Sequence, residues 1–262
     1  MGGSLNAVTP LDPGAIGPWP VVTRLTDLHD TRRARTLPLK LYLPEQRSPR
    51  GLILFSHGLG GSREGGSVWL QHWASHGFAA LALQHPGSDR SILRKQSPLA
   101  LRSAFKAAMN PEELTRRADD VHFVLGRIGR ETALPDVVNA ATAIGLAGHS
   151  FGAVTVQLLA GERRPNQPPK DLDPRVRAVI ALSPSARHAD SASGLAQRFG
   201  HVHLPFFGIT GSRDDGMGLS DITAANRELP YRHAPAGLAG PDKYLLVFGG
   251  GNHLDFAGQA SH

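Results

Sequence analysis

Six short apolar runs restrict what this chain can fold into: Gly51–Ser56 (GLILFS), Phe78–Leu83 (FAALAL), Ala143–Ala147 (AIGLA), Val176–Leu182 (VRAVIAL), Pro205–Thr210 (PFFGIT) and Lys243–Phe248 (KYLLVF). Each is too short for a helix and reads as a strand; the near-continuous first run suits one covered on both faces, and Phe78–Leu83, Val176–Leu182 and Pro205–Thr210 read as buried. Helical segments separate several of them. Val68–His76 carries Trp69, Leu70 and Trp73 at helical spacing before Gly77. Asn110-Pro111-Glu112-Glu113 is a helix start, with a capping side chain, a proline in the first turn and acids at the positive end. That helix runs through Leu114, Ala118, Val121, Val124 and Leu125 to Gly126. Further helices are expected from Phe151 to Ala160, closed by Gly161, and over Ser220–Glu228. Residues 84–109 read as irregular to helical. Upstream, Val21–Leu25 and Leu37–Leu43 alternate polar with apolar across the polar connection Asp27–Arg35, the pattern of an antiparallel hairpin. Residues 1–20, rich in Pro and Gly, read as an irregular arm. Strands alternating with helices imply right-handed crossovers and a mostly parallel sheet with helices on both faces. No internal repeat or linker breaks residues 1–262, so one α/β domain is expected. In such a sheet, chemistry belongs at the carboxyl ends of the strands.

Composition removes other classes. Hydrophobic residues are 40% of the 262 and charged residues 19%, enough apolar content for a buried core. There is no cysteine, which excludes disulfides, thiol nucleophiles and cysteine-bound zinc. The net charge of +6 comes from arginine in scattered pairs such as Arg32-Arg33, Arg116-Arg117 and Arg163-Arg164. Nucleic-acid binders concentrate charge and interleave aromatics. With aromatics at 6%, a solvated Arg-rich surface and no nucleic-acid partner are expected. No run reaches the ~18–20 apolar residues of a membrane span. The N-terminus lacks the basic and apolar regions of a secretory signal, so a cytoplasmic protein, or a secreted one without its leader, is expected. The expected oligomeric state is a monomer.

Gly148-His149-Ser150-Phe151-Gly152 follows AIGLA and precedes a helix, the context a G-x-S-x-G nucleophile turn requires. The sharp turn lifts the Ser150 hydroxyl off the sheet and needs small neighbours two positions away, Gly148 and Gly152. After GLILFS comes His57-Gly58-Leu59-Gly60-Gly61. The loop in that place and the residue after the nucleophile supply main-chain donors to an oxyanion, which makes Leu59 and Phe151 the candidates. The spacing does not fit a phosphate loop: G-x-G-x-x-G counted from Gly58 would end on Arg63.

A serine needs a base, and the base an orienting carboxylate, in the chain order Ser, Asp or Glu, His. Of 13 histidines, His233, His253 and His262 follow both Ser150 and Asp214-Asp215. His253 directly follows a strand end, in a glycine-rich loop able to swing an imidazole over Ser150. Asp214, in Thr210-Gly-Ser-Arg-Asp214-Asp215 after PFFGIT, is the chosen acid and Asp215 the reserve. His57 and His149 flank the motifs as hydrogen-bonding support without a proton-transfer role. His201 and His203 alternate on a strand but lack a third ligand, so no metal and no cofactor are expected.

Phe55-Ser-His-Gly-Leu-Gly-Gly-Ser-Arg63, His85-Pro-Gly87, Gly148-His-Ser-Phe-Gly152 and Asn252-His253 together resemble the α/β-hydrolase superfamily. The nearest likeness is to its dienelactone-hydrolase-like and platelet-activating-factor-acetylhydrolase-like esterases, over residues 18–256. The resemblance implies an eight-stranded sheet and carboxylic-ester hydrolysis, with Ser150 as nucleophile, His253 as base, and Leu59 and Phe151 as oxyanion donors. The acetylhydrolases are similar in placing the acid after the strand here ending Ala181-Leu182. This chain has Ser183-Pro184-Ser185 there, so the acid is expected at Asp214, as in dienelactone-hydrolase-like members. Only nine residues follow His253, so the closing helix is expected to be short or missing, the chain being shortened or cut from a longer protein. Residues 88–109 are expected to form a cap or cleft wall, with Leu93, Leu99, Leu101 and Phe105 as apolar surface for small or polymeric esters, including polyesters. The competing readings are acyl transfer or amide hydrolysis with the same three groups, and a non-catalytic ligand receptor.

Overall fold

Five of the six apolar runs become interior strands of one sheet; the sixth, Lys243–Phe248, lies in the edge strand of that sheet, where Tyr244, Leu246, Val247 and Phe248 are exposed. Its strands are β1 (Val21–Asp30), β2 (Arg35–Pro44), β3 (Leu52–Ser56), β4 (Ala79–Leu83), β5 (Ile144–His149), β6 (Val176–Leu182), β7 (Phe206–Arg213) and β8 (Lys243–Asn252). The helices are α1 (Ser67–Ser75), α2 (Pro98–Ala108), α3 (Pro111–Arg127), α4 (Phe151–Leu159), α5 (Ala192–Phe199) and α6 (Ala224–His233), with short 3₁₀ turns at Arg90–Leu93 and His253–Phe256. The computed structural model describes residues 12, 14–93, 98–130, 134, 139, 142–165, 167–186, 191–218, 220–235 and 242–259.

The strand order is β1-β2-β4-β3-β5-β6-β7-β8. Only β2 runs against the rest: it pairs antiparallel with β1 and with β4, and every other pairing is parallel. All five residues of β3 and of β4 are buried. Each large apolar side chain among them contributes about 1.5–3 kcal/mol relative to exposure. One face packs Leu52, Leu54, Leu81 and Leu146 under α3 and α4; the other packs Ile53, Phe55, Ala80 and Ala147 under Leu70 of α1 and Phe256. The register pairs Ser56 with Gly148, so the loop after β3 and the turn after β5 leave the sheet side by side. No helix among the described residues is long and apolar enough to cross a membrane.

Three local expectations change. The hairpin is longer than the alternation suggested. Pairing continues to Asp30 opposite Arg35, leaving residues 31–34 as the turn, because Leu28 and Asp30 keep the inward alternation of β1. The glycines after Phe248 are strand rather than loop: β8 runs to Asn252, which pairs with Arg213. A Cβ on Gly211 would meet Gly251 O at 2.2 Å, so the two strands approach too closely there for side chains. Finally, α6 starts at Ala224, not Ser220, because Asn226 Oδ1 accepts the Thr223 N–H at 2.7 Å. It also runs past Glu228 and through Pro230. Pro230 cannot bond the Asn226 carbonyl; that carbonyl instead accepts the Ala186 N–H at 3.2 Å.

Candidate active site

Ser150 sits between β5 and α4 with φ 56° and ψ −116°, a left-handed backbone held by its surroundings. Its N–H donates to Leu182 O at 2.9 Å, tying the turn to β6. A Cβ on Gly148 would lie 2.3 Å from Gly152 O, and one on Gly152 would lie 1.9 Å from Ser56 O. Backbone meets backbone at both places, so only glycine fits.

The His253 turn delivers its imidazole to this point. His253 Nε2 is 2.8 Å from Ser150 Oγ, and Nδ1 is 2.7 Å from Asp214 Oδ1. Asp214 is fully buried at the end of β7, and its Oδ2 accepts from Thr210 Oγ1 at 2.8 Å. Burial alone would raise the Asp214 pKa, but the His253 hydrogen bond and the Arg227 charge hold it below the ordinary value. Asp215 is exposed and its Oδ1 caps the next turn, accepting the Met217 N–H at 2.8 Å. Such a chain can move the hydroxyl proton to Nε2 while the carboxylate fixes the ring.

His149 and His57 brace the site in different ways. His149 Nε2 donates to the His253 carbonyl at 3.0 Å. His57 Nδ1 donates to Gly58 O at 2.6 Å, while its Nε2 accepts the His85 N–H at 3.0 Å. Gly58 O belongs to the same peptide unit as the Leu59 N–H, so this bond polarises that unit and strengthens the N–H as a donor. The N–H groups of Leu59 and Phe151 have no acceptor among the described residues. By contrast, Gly60 N–H donates to Ser88 O at 2.9 Å and Gly61 N–H to Gly58 O at 3.1 Å. The position of a hypothetical Gly58 Cβ is 3.4 Å from Ser150 Cβ, so this loop borders the Ser150 turn.

Of the expected cleft residues, Phe105 and Leu93 meet over Gly60. A Cβ there would be 3.1 Å from the Phe105 ring and 3.5 Å from Leu93 Cδ2. Leu101 is half-buried on α2, and the Leu99 side chain lies outside the described residues. The His201 and His203 rings are 6.5 Å apart, and no group of three or more metal-ligating side chains occurs among the described residues.

Two arginines escaped the sequence reading. Arg117 is fully buried rather than part of a solvated surface pair, whereas Arg116 beside it is exposed. Arg227 Nε lies 3.0 Å from Asp214 Oδ1, so that oxygen accepts from both Arg227 and His253. Arg227 also donates to the carbonyls of Ser183, Asp214 and Asp215 at 3.1, 3.2 and 3.1 Å, joining the exits of β6 and β7. Its partners lie 12 to 44 residues away, beyond any local pattern. The available signal for Arg117 was its place on the apolar stripe of α3, three residues after Leu114.

Three histidines are kept neutral here. Burial, reinforced by nearby cations, pushes His85 down to about 4 and His149 to about 3, and takes His57 well below its ordinary value. The unfolded chain therefore takes up protons from about pH 6.5 downward while the native state does not. Stability is full above that pH and falls as pH drops toward 4. By pH 5 the loss should be on the order of 1–2 kcal/mol for each of His85 and His149. Urea unfolding at pH 7.5 and pH 5 checks this, and equal midpoints would contradict it.

The fold is that of the α/β-hydrolases. The family model for platelet-activating factor acetylhydrolase, isoform II, matches residues 19–100. No curated protein sequence matches. Among solved structures, a Klebsiella pneumoniae subsp. pneumoniae MGH 78578 protein provisionally assigned as a dienelactone hydrolase is similar at TM-score 0.60 and 13% identity, over 93% of this chain and 92% of that one. The ferulic acid esterase of Streptomyces cinnamoneus matches at TM-score 0.58 and 19% identity, over 91% of this chain and 75% of that one. A cold-adapted esterase from an Arctic intertidal metagenomic library matches at TM-score 0.58 and 17% identity, over 89% and 86%.

Proposed function

We propose that this chain is a serine hydrolase that cleaves carboxylic esters through an acyl-enzyme. The observation that carries the reading is the unbroken line from Ser150 Oγ through both His253 nitrogens to Asp214, with contacts of 2.8 and 2.7 Å. Esterases and a hydrolase among the structural neighbours support it. His253 Nε2 takes the hydroxyl proton as Ser150 Oγ attacks the ester carbonyl carbon. The Leu59 and Phe151 N–H groups hold the resulting oxyanion, each such donor being worth ~10²–10³ in turnover. Collapse breaks the ester C–O bond, and His253 gives its proton to the departing alcohol. Water, deprotonated by His253, then attacks the acyl-Ser150 carbonyl; its collapse releases the acid and restores the serine.

Leu93 and Phe105 beside the Leu59–Gly60 loop favour an apolar acyl or aromatic portion and serve as part of the cleft wall; of the expected wall 88–109, residues 94–97 lie outside the described residues. Small esters and chain ends of polyesters both fit that description. The test is labelling with a fluorophosphonate followed by peptide mass spectrometry. Label on Ser150, together with turnover of p-nitrophenyl esters graded by chain length, is the expected result. An unlabelled Ser150 in folded protein would overturn the reading.

A further inference from the structure

Behind the loop and turn that carry Leu59 and Phe151 lies a guanidinium without a direct counter-ion. Arg117, on α3, is 0% exposed. Four of its contacts are to neutral acceptors. Nε donates to Thr155 Oγ1 at 3.0 Å, NH1 to Ser88 Oγ at 3.0 Å, and NH2 to Ser56 Oγ at 3.0 Å and to the His57 carbonyl. The guanidinium carbon also lies 4.7 Å from the centre of the Phe151 ring. Among the described residues no carboxylate comes within 4.0 Å of it; Glu113, Asp120 and Asp89 act only from farther away. Asp120 itself is engaged by Arg33, Arg35 and His85.

These contacts reach both candidate donors. Leu59 lies between His57, held by Arg117 directly, and Gly60, whose N–H is bound by the carbonyl of Ser88, another Arg117 partner. Phe151 is held through its ring and through Thr155, whose hydroxyl bonds Arg117 on one side and the Phe151 carbonyl, at 2.9 Å, on the other. A buried cation left without a partner is costly, and a protein retains one against that cost most readily where a negative charge forms beside it.

Building on the serine-hydrolase reading above, we propose that Arg117 is a positioning residue for the oxyanion site: it clamps the Leu59 and Phe151 N–H groups at a fixed separation and sets a positive charge behind them whose counter-ion is the tetrahedral oxyanion. Arg117 touches no substrate and moves no proton. Its effect falls on the transition state, so it belongs in kcat rather than KM.

The test uses the full chain and three variants: Arg117→Met, Arg117→Lys and Thr155→Val. Each is measured for thermal unfolding, for kcat and KM with p-nitrophenyl acetate, and for the phosphorus-31 resonance of its fluorophosphonate adduct on Ser150, whose P=O oxygen occupies the oxyanion position. Arg117→Met should lower kcat by ~10²-fold with KM within about threefold, and move the resonance toward that of the denatured adduct. Arg117→Lys, keeping the charge but losing the fork, should recover about tenfold of that loss. Thr155→Val, which cuts only the link to α4, should shift the resonance in the same direction with a kcat loss of about tenfold or less. Where Arg117→Met does not fold, the other two decide. Folded variants with the wild-type resonance and kcat, or activity lost only in proportion to unfolded protein, would overturn the proposal. A wild-type chain that takes no label on Ser150 would instead remove the hydrolase reading beneath it.

Discussion

Ser150→Ala is expected to cost on the order of 10⁶-fold in kcat for p-nitrophenyl acetate, the scale of loss when a triad serine is removed. The substitution deletes one oxygen and adds nothing, so the crowding at Gly148 and Gly152 is unchanged. The backbone at φ 56° already bears a Cβ, and alanine places the same atom there. The Ser150 N–H bond to Leu182 O is also retained. Thermal unfolding should therefore match the parent while turnover disappears. A variant that keeps most of its activity would show that Ser150 is not the nucleophile.

Asp214→Asn should lower kcat by up to ~10⁴-fold, while Asp215→Asn should cost less than tenfold. The amide is close to the carboxylate in shape, so Thr210 and Arg227 keep a neighbour of the same size. What changes is the tautomer and the charge. An amide can offer an N–H to His253 Nδ1, which then carries no proton of its own and leaves Nε2 protonated toward Ser150. The imidazolium formed during attack also loses its counter-charge, with Arg227 still 3.0 Å from the same ring nitrogen. Asp215 points to the Met217 N–H, so its amide affects a loop cap alone. Steady-state kinetics with circular dichroism on both variants checks this, and comparable losses in the two would contradict it.

The parts of the fold legible in the sequence were those governed by local chemistry. β3 and β4 read as apolar runs because both their faces are covered, and the start of α3 read clearly because Asn110 Oδ1 caps the Glu113 N–H at 2.7 Å. The Ser150 turn was visible through its local G-x-S-x-G pattern between strand and helix, although only Gly148 is set by a near neighbour, Gly152, while Gly152 is set by Ser56 of β3. The short helix α5 went unnoticed although Leu195 and Phe199, four apart, are its buried points. Eight residues bounded by serine and glycine carry too little periodicity to stand out. Arg117 and Arg227 were hidden for a different reason. Their partners come from distant segments, and only the place of Arg117 on the apolar stripe of α3, three residues after Leu114, hinted at its burial.

The steric closure around Ser150 divides the molecule into a frozen part and an editable part. With Gly152 Cβ space ending 1.9 Å from Ser56 O and Gly148 Cβ space ending 2.3 Å from Gly152 O, no side chain fits at Gly148 or Gly152, two positions to either side of Ser150. Diversification, natural or engineered, is thereby channelled to peripheral positions such as Leu93, exposed at 45%, and Phe105, half-buried on α2, which overhang the same loop from elements outside the sheet. A library aimed at new ester preferences gains by randomising those two positions and leaving the elbow untouched.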